Sequence, residues 1–213
     1  FGRRHLPRAE FEGLPVVEVA ILGAGMSGVC MGYQLQEAGR HDFVILEKQP
    51  GLGGTWWDNT YPGAHVDVPA PVYSFSFAPN PDWSRRFASA PEIQAYLQEL
   101  AERRGLTAHM RFGATLESAR FDAAHGLWTL RTADGDALRA RFFVCSTGPL
   151  NQPRWPDIPG LADFAGVRLH SARWDHGVPL DGRRIAVIGT GSTASQLVAA
   201  MAARAARLHV FQR

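Results

Sequence analysis

The run Val16-Val17-Glu18-Val19-Ala20-Ile21-Leu22 leads without interruption into Gly23-Ala24-Gly25-Met26-Ser27-Gly28, and few features restrict a fold more narrowly. A short β-branched stretch reads as a buried strand. Three glycines at this spacing each answer a steric demand: Gly23 allows a tight turn, Gly25 lets an anion approach the backbone, and Gly28 lets the next helix lie against the strand. The N-terminus of that helix then offers free N–H groups to a phosphate. The helix runs through Val29, Cys30 and Leu35 and stops near Gly39, a suitable C-terminal cap. A second strand, Phe43-Val44-Ile45-Leu46, ends in Glu47, which lies 47 − 23 = 24 residues after the first glycine and is placed to accept hydrogen bonds from a ribose hydroxyl.

The same design recurs. Arg184-Ile185-Ala186-Val187-Ile188 feeds Gly189-Thr190-Gly191-Ser192-Thr193-Ala194, where Ala194 replaces the third glycine, a variation the motif tolerates. The apolar run Leu208-His209-Val210-Phe211 reads as the next strand, and Arg213 lies 213 − 189 = 24 residues after Gly189, in register with Glu47. Alone, Arg213 would read as a solvated strand-end cation. The register match favours a different role: a carboxylate suits a free 2′-hydroxyl, whereas a guanidinium suits a 2′-phosphate. The expected class is α/β, with two dinucleotide-binding (Rossmann-like) units, the first bearing an antiparallel β-meander and the second incomplete. Expected boundaries are 1–150 for the first domain, 151–182 for an interdomain linker and 183–213 for the start of a truncated second domain.

Between the turns, the aromatic and glycine-rich stretch from Gly53 to Asp67 fits no regular helix or strand and reads as a structured loop. Tyr73-Ser74-Phe75-Ser76-Phe77 alternates like a strand. Ser89-Ala90-Pro91-Glu92 combines a capping box with an early proline, Gly105 closes the same helix, and Ile93, Tyr96, Leu97 and Leu100 form its apolar face. From Leu116 to Val144 short alternating runs with Asp134-Gly135 as a hairpin signal predict the meander, laid on the nucleotide-binding sheet. Phe142-Phe143-Val144-Cys145 is its last strand and enters Ser146-Thr147-Gly148; Pro153, Pro156 and Pro159 then stiffen the linker.

With 213 residues, 46% hydrophobic and 20% charged, the composition is that of an ordinary soluble globular protein. A net charge of +2 with scattered basic residues gives no reason to invoke nucleic acid or an anionic membrane. No apolar run approaches the length of a bilayer span, and Cys30 and Cys145, without metal-ligand spacing, read as buried reduced thiols of a cytoplasmic protein. No metal site is expected. Because the chain starts at Phe1 and stops directly after a strand, it is expected to be a fragment of a longer polypeptide.

The stretch Phe164-x-Gly166-x-x-x-His170-x-x-x-Trp174-Asp175, lying between the two glycine turns, resembles the signature of the Baeyer-Villiger monooxygenases. Gly54-x-Trp56 followed by Tyr61-Pro62-Gly63 and Asp67 is similar to a second motif of that family, and Ser146-Thr147-Gly148 resembles the turn that closes its flavin domain. Flavin monooxygenases acting on nitrogen or sulfur typically end the first stretch in Tyr or Phe. The resemblance implies FAD in the first unit, NADPH in the second, and insertion of one oxygen from O2 into a ketone through a peroxyflavin to give an ester or lactone. It implies FAD contacts from Gly23, Gly25, Ser27, Gly28, Glu47, Lys48, Gly54, Thr55, Trp56, Asp67, Tyr73, Leu116, Thr147 and Gly148. For NADPH it implies Gly189, Thr190, Gly191, Ser192, Thr193, Ala194, Gln196 and Arg213. Asp67 is the catalytic candidate, supporting an arginine that belongs to the remainder of the polypeptide, so the chain alone is expected to be inactive. An N- or S-oxygenating flavoenzyme, or a non-catalytic FAD-binding fragment, is the alternative.

Overall fold

The computed structural model describes residues 13–212, so Arg213 lies outside the described residues. They fall into two compact units: residues up to Leu52 with Glu102–Thr147, and Gly53–Ala101 with Gly148 onward. The chain is α/β, as the repeated strand and turn pattern predicts.

The first unit is built on one six-stranded sheet. Its strands are β1 (Val16–Leu22), β2 (Phe43–Leu46), β3 (Met110–Arg111), β4 (Leu116–Asp122), β5 (Leu127–Thr132) and β6 (Ala137–Cys145), in the order β3-β2-β1-β6-β5-β4. β1 pairs in parallel with β2 and with β6, while β4, β5 and β6 form the antiparallel meander. β6 therefore belongs to both halves, and the meander extends the parallel sheet edge to edge as well as packing on it. Ala20, Val44 and Leu46 pack with Leu130, Leu138 and Ala140, an apolar cluster joining the two parts. Parallel strands covered on both faces read as continuous apolar runs, which is why β2 is buried throughout.

Helix α1 (Met26–Glu37) follows the first glycine turn. Its end is a Schellman motif, in which Arg40 N–H bonds Leu35 O at 2.8 Å, Gly39 N–H bonds Gln36 O at 2.9 Å, and Gly39 takes a φ of 69°. The β5–β6 hairpin closes through three residues. Thr132 N–H bonds Asp136 O at 2.9 Å, and Gly135, with a φ of 92°, supplies the left-handed position.

In the second unit, one helical turn, α2 (Thr55–Asp58), interrupts the loop expected to be irregular. α3 (Ala90–Arg103) begins where the capping box places it: Glu92 accepts from both Ser89 N–H and Ser89 hydroxyl at 3.0 Å. β7 (Arg184–Ile188) and β8 (Arg207–Phe211) pair in parallel, connected by α4 (Ser192–Ala202). Two expectations are corrected. Tyr73–Phe77 is no strand: Ala70–Tyr73 forms a 3₁₀ turn entered at Pro69, with Pro71 inside it. Phe75 and Phe77 then stack at 4.9 Å instead of alternating, while the Tyr96 hydroxyl receives Phe75 N–H and donates to Ala78 O. Cys145 is exposed and Cys30 half-buried, because Cys145 stands at the carboxyl end of β6, where the sheet runs out.

Candidate functional site

The two glycine turns share one backbone design. Gly23 N–H bonds Leu46 O at 2.8 Å and Gly189 N–H bonds Phe211 O at 2.9 Å, so each first glycine ties its turn to the last residue of the following strand. Both have a φ far into the positive region, 101° and 117°. Gly25 and Gly191 are the N-caps of α1 and α4, with φ and ψ of −78° and −169°, and −76° and −176°. Neither helix has a side-chain cap hydrogen bond or an acid of its own in the first turn, so both N-termini present N–H groups and the positive end of the helix dipole to an anion.

They differ in tightness. A β-carbon on Gly28 would stand 1.8 Å from Gly23 O, and one on Gly23 would stand 2.8 Å from Ser146 O. Only hydrogen fits at these points. Gly189 has nothing within 4 Å of such a position, consistent with the looser turn that accepts Ala194.

Glu47 is only 5% exposed. Its Oε2 accepts Ala24 N–H and its Oε1 accepts Gln49 N–H, both at 2.8 Å, so the carboxylate braces the glycine turn against the end of β2. A carboxylate offers about four acceptor positions, which leaves capacity for a ribose hydroxyl. Lys48 is half-buried beside it, Leu116 opens β4 at an irregularity in the register with β5, and exposed Thr147 follows β6, its hydroxyl 3.7 Å from the Cys145 thiol. Gly148, with a φ of 64°, opens the next segment of the second unit.

The motif residues of the second unit are held mainly by one another. Gly53 and Gly54 take positive φ values that let α2 start abruptly, and a β-carbon on Gly53 would meet Gln94 Oε1 at 1.8 Å. Trp56 Nε1–H donates to the Tyr73 hydroxyl at 3.2 Å, with the rings edge to face. Burial raises the Tyr73 phenol above its usual range, the Trp56 hydrogen bond opposes this, and the Asp67 charge adds to it. Tyr61 is raised in the same way: by burial first, against a hydrogen bond from Thr193, with Asp67 again contributing.

The stretch from Phe164 to Asp175 fastens onto this loop. Trp174 packs with Tyr61, Ala64 and Ala90, Arg173 lies 3.6 Å from Asp58, and His176 Nε2 stands 2.9 Å from the Thr60 hydroxyl. His170 folds back on itself: Ala172 N–H bonds its Nδ1 at 3.1 Å, and Trp155 meets the ring edge to face. Asp175 receives Gly177 N–H at 2.8 Å and shapes a turn. Phe164 is exposed and lies over Gly166, whose missing side chain makes room for the ring.

Three contacts escaped sequence reasoning. The Ser192 hydroxyl donates to Asp67 at 2.9 Å, the Tyr61 hydroxyl donates to Gln196 Oε1 at 2.7 Å, and Gln196 Nε2 donates to His65 O at 2.9 Å. Gln196, expected to touch a nucleotide, is 8% exposed and is engaged in bracing this loop. Gly63 carries the one local signal: with a φ of 82°, its β-carbon would lie 2.8 Å from Gln196 O, so a closely approaching backbone demands glycine there.

A domain model described as an NAD(P)-binding Rossmann-like domain matches residues 21–90. The chain is 54% identical over 195 residues to an uncharacterised monooxygenase of Mycobacterium tuberculosis, covering 92% of this chain and 39% of that protein. The geometry and these similarities define a flavin-monooxygenase-like chain of α/β dinucleotide-binding design. It is also 46% identical over 197 residues to a Baeyer-Villiger monooxygenase from Streptomyces coelicolor, covering 92% of this chain and 38% of that relative. The crystal structure of cyclohexanone monooxygenase from Rhodococcus sp. Phi1 bound to NADP+ superposes with a TM-score of 0.86 at 37% identity, over 94% of this chain and 39% of that one. The chain thus spans about two fifths of the length of the relatives it matches. Among the described residues no helix is long and apolar enough to cross a membrane, and no cluster of His, Cys, Asp and Glu could hold a metal ion.

Proposed function

We propose that this chain is the cofactor-binding amino-terminal part of an FAD- and NADPH-dependent monooxygenase that inserts one oxygen atom from O2 beside a ketone carbonyl, giving an ester or lactone. The observation that carries the reading is the matched pair of glycine turns, each with an uncapped helix N-terminus and a first glycine bonded to the following strand. The glycines fit this reading: a side chain on Gly28 would strike Gly23 O and one on Gly23 would strike Ser146 O, so only glycine lets α1 lie close against its turn as the dinucleotide-binding motif requires.

In this reading the α1 turn, with Ser27, receives the FAD pyrophosphate, Glu47 accepts a ribose hydroxyl, and Leu116 and Thr147 complete that unit's contribution. Gly54, Thr55, Trp56 and Tyr73 serve as flavin neighbours, with Gly148 in the turn beyond β6. The α4 turn, from Gly189 through Ala194, receives NADPH, and Arg213 takes its 2′-phosphate. The bound flavin, reduced by NADPH, supplies the oxygen-transfer chemistry. The chain's own residues bind and orient it, exclude water with the Trp56, Tyr61 and Trp174 cluster, and place the Asp67 carboxylate to support an arginine supplied by the remainder of the polypeptide. Trp174-Asp175 favours ketone oxygenation over attack by nitrogen or sulfur.

The test uses the full-length protein with FAD, NADPH, O2 and a simple cyclic ketone. Lactone carrying label from ¹⁸O2 is the expected product. NADPH consumption that yields only hydrogen peroxide across a ketone panel would refute the reading.

A further inference from the structure

One loop of the second unit engages the whole opening of α4. The Ser192 hydroxyl donates to Asp67 Oδ2 at 2.9 Å. One residue on, Thr193 opposes the rise that burial gives the Tyr61 phenol pKa. Gln196, a turn further, accepts from Tyr61 and from His65 N–H and donates to His65 O. Gly63 lets the backbone lie directly against the helix. Asp67 is the acid this loop carries, and it arrives at the end of α4 where the helix dipole and unpaired N–H groups favour negative charge. Since α4 has no acid of its own there, Asp67 is the anion that the fold supplies.

We propose that Asp67 is an internal anion that holds the place of the dinucleotide pyrophosphate at the N-terminus of α4, so that dinucleotide binding displaces it from Ser192. This rests on the reading of the second glycine turn as the NADPH site. The carboxylate cannot stay on Ser192 while a phosphate group takes the same hydroxyl and the same helix end, because the two anions repel. Displacement also carries a signal. The charge of Asp67 reaches both Tyr61 and Tyr73, and Tyr73 is bonded to Trp56, so occupancy of the second turn is felt in the aromatic loop. Ser192 is thus a positioning residue for Asp67 as well as a phosphate donor.

The experiment is a calorimetric titration of the full-length, FAD-loaded protein with NADP+, which needs no turnover. Asp67→Asn keeps an acceptor for Ser192 but removes the competing charge, and should bind NADP+ roughly 2- to 30-fold more tightly at low ionic strength, the range for an anion at a helix N-terminus. Because Asp67 is exposed, the advantage should shrink as salt is added. Equal or weaker binding by a folded, FAD-replete Asp67→Asn protein would overturn the proposal. Hydrogen exchange on the wild type provides a second reading that requires no variant: NADP+ should accelerate exchange at residues 66–68 while protecting the first turn of α4, and slowed exchange at both would overturn it. A wild type that holds FAD but shows no NADP+ binding would instead remove the dinucleotide reading itself, and this proposal with it.

Discussion

Gly28→Ala is the substitution whose consequence follows most directly from the geometry. The added β-carbon would stand 1.8 Å from Gly23 O, and reaching 3.0 Å, the shortest tolerable approach, requires a movement of at least 3.0 − 1.8 = 1.2 Å. The obstacle is backbone, so no side-chain rotation relieves it. Gly23 O shares a peptide plane with Ala24 N–H, which donates to the buried Glu47 carboxylate at 2.8 Å, so moving the carbonyl breaks that bond or pushes α1 off the sheet. Overpacking of this kind costs about 1–3 kcal/mol, and loss of a hydrogen bond to a buried charge costs about 1.5–3 kcal/mol. The better helix propensity of alanine returns about 1 kcal/mol, leaving a net destabilisation of roughly 1.5–5 kcal/mol. Thermal unfolding of the FAD-loaded full-length protein, at about 1 °C per kcal/mol for a chain of that length, should show a melting temperature lowered by roughly 2–5 °C, together with reduced FAD content. Ala194→Gly, the reverse exchange at the equivalent position of the looser turn, should cost only the propensity difference of about 1 kcal/mol. If Gly28→Ala retained FAD and melted within about 1 °C of the wild type, the close packing of helix on turn would be refuted.

Two further outcomes are expected. Hydrogen bonds from Ser89 and Ser84 hold the Glu92 carboxyl down to about 2. A carboxyl lowered on folding stabilises above its unfolded value and loses that contribution as pH falls, so the wild type should be more stable than Glu92→Gln near pH 6, with the difference fading between about pH 4.5 and 2. Since the side chain is largely solvated, the effect at neutral pH should be near 0.5–1 kcal/mol, roughly that of a helix cap; curves that stay parallel down to pH 2 would remove the cap. Arg213→Ala in the full-length protein should raise the Michaelis constant for NADPH far more than that for NADH, by about 1.5–3 kcal/mol of lost charged hydrogen bonding, and an equal change for both would sink the 2′-phosphate assignment.

Both glycine turns, their strands and the caps of α1 and α3 were legible in the chain because each depends on residues close together in sequence. Glycines at fixed offsets, a β-branched run and a serine three residues before a glutamate encode local geometry directly. The meander was legible for the same reason, since Asp134-Gly135 marks the turn between β5 and β6. Tyr73–Phe77 was misread because period-two alternation is weak evidence over five residues beside two prolines, and the Tyr96 hydroxyl, from another element, decided the matter by bonding both ends of the turn.

The aromatic motifs show where local reasoning stops. Pattern and family likeness single out Trp56, Tyr61, Asp67, His170 and Trp174; what they touch could not be read from either. Asp67 finds Ser192 across 125 residues of chain, and Tyr61 finds Gln196 across 135, separations over which no spacing rule operates. Contacts of that kind depend on how one loop lies along one helix, which the shape at Gly63 permits and the burial of Tyr61 enforces. Local stereochemistry thus settles which segments become strand, turn and helix, because those choices rest on backbone torsions and near neighbours. The partnership between the Asp67 loop and the second glycine turn exists only once the chain is folded, because its energy comes from charge and packing between residues that the sequence keeps far apart.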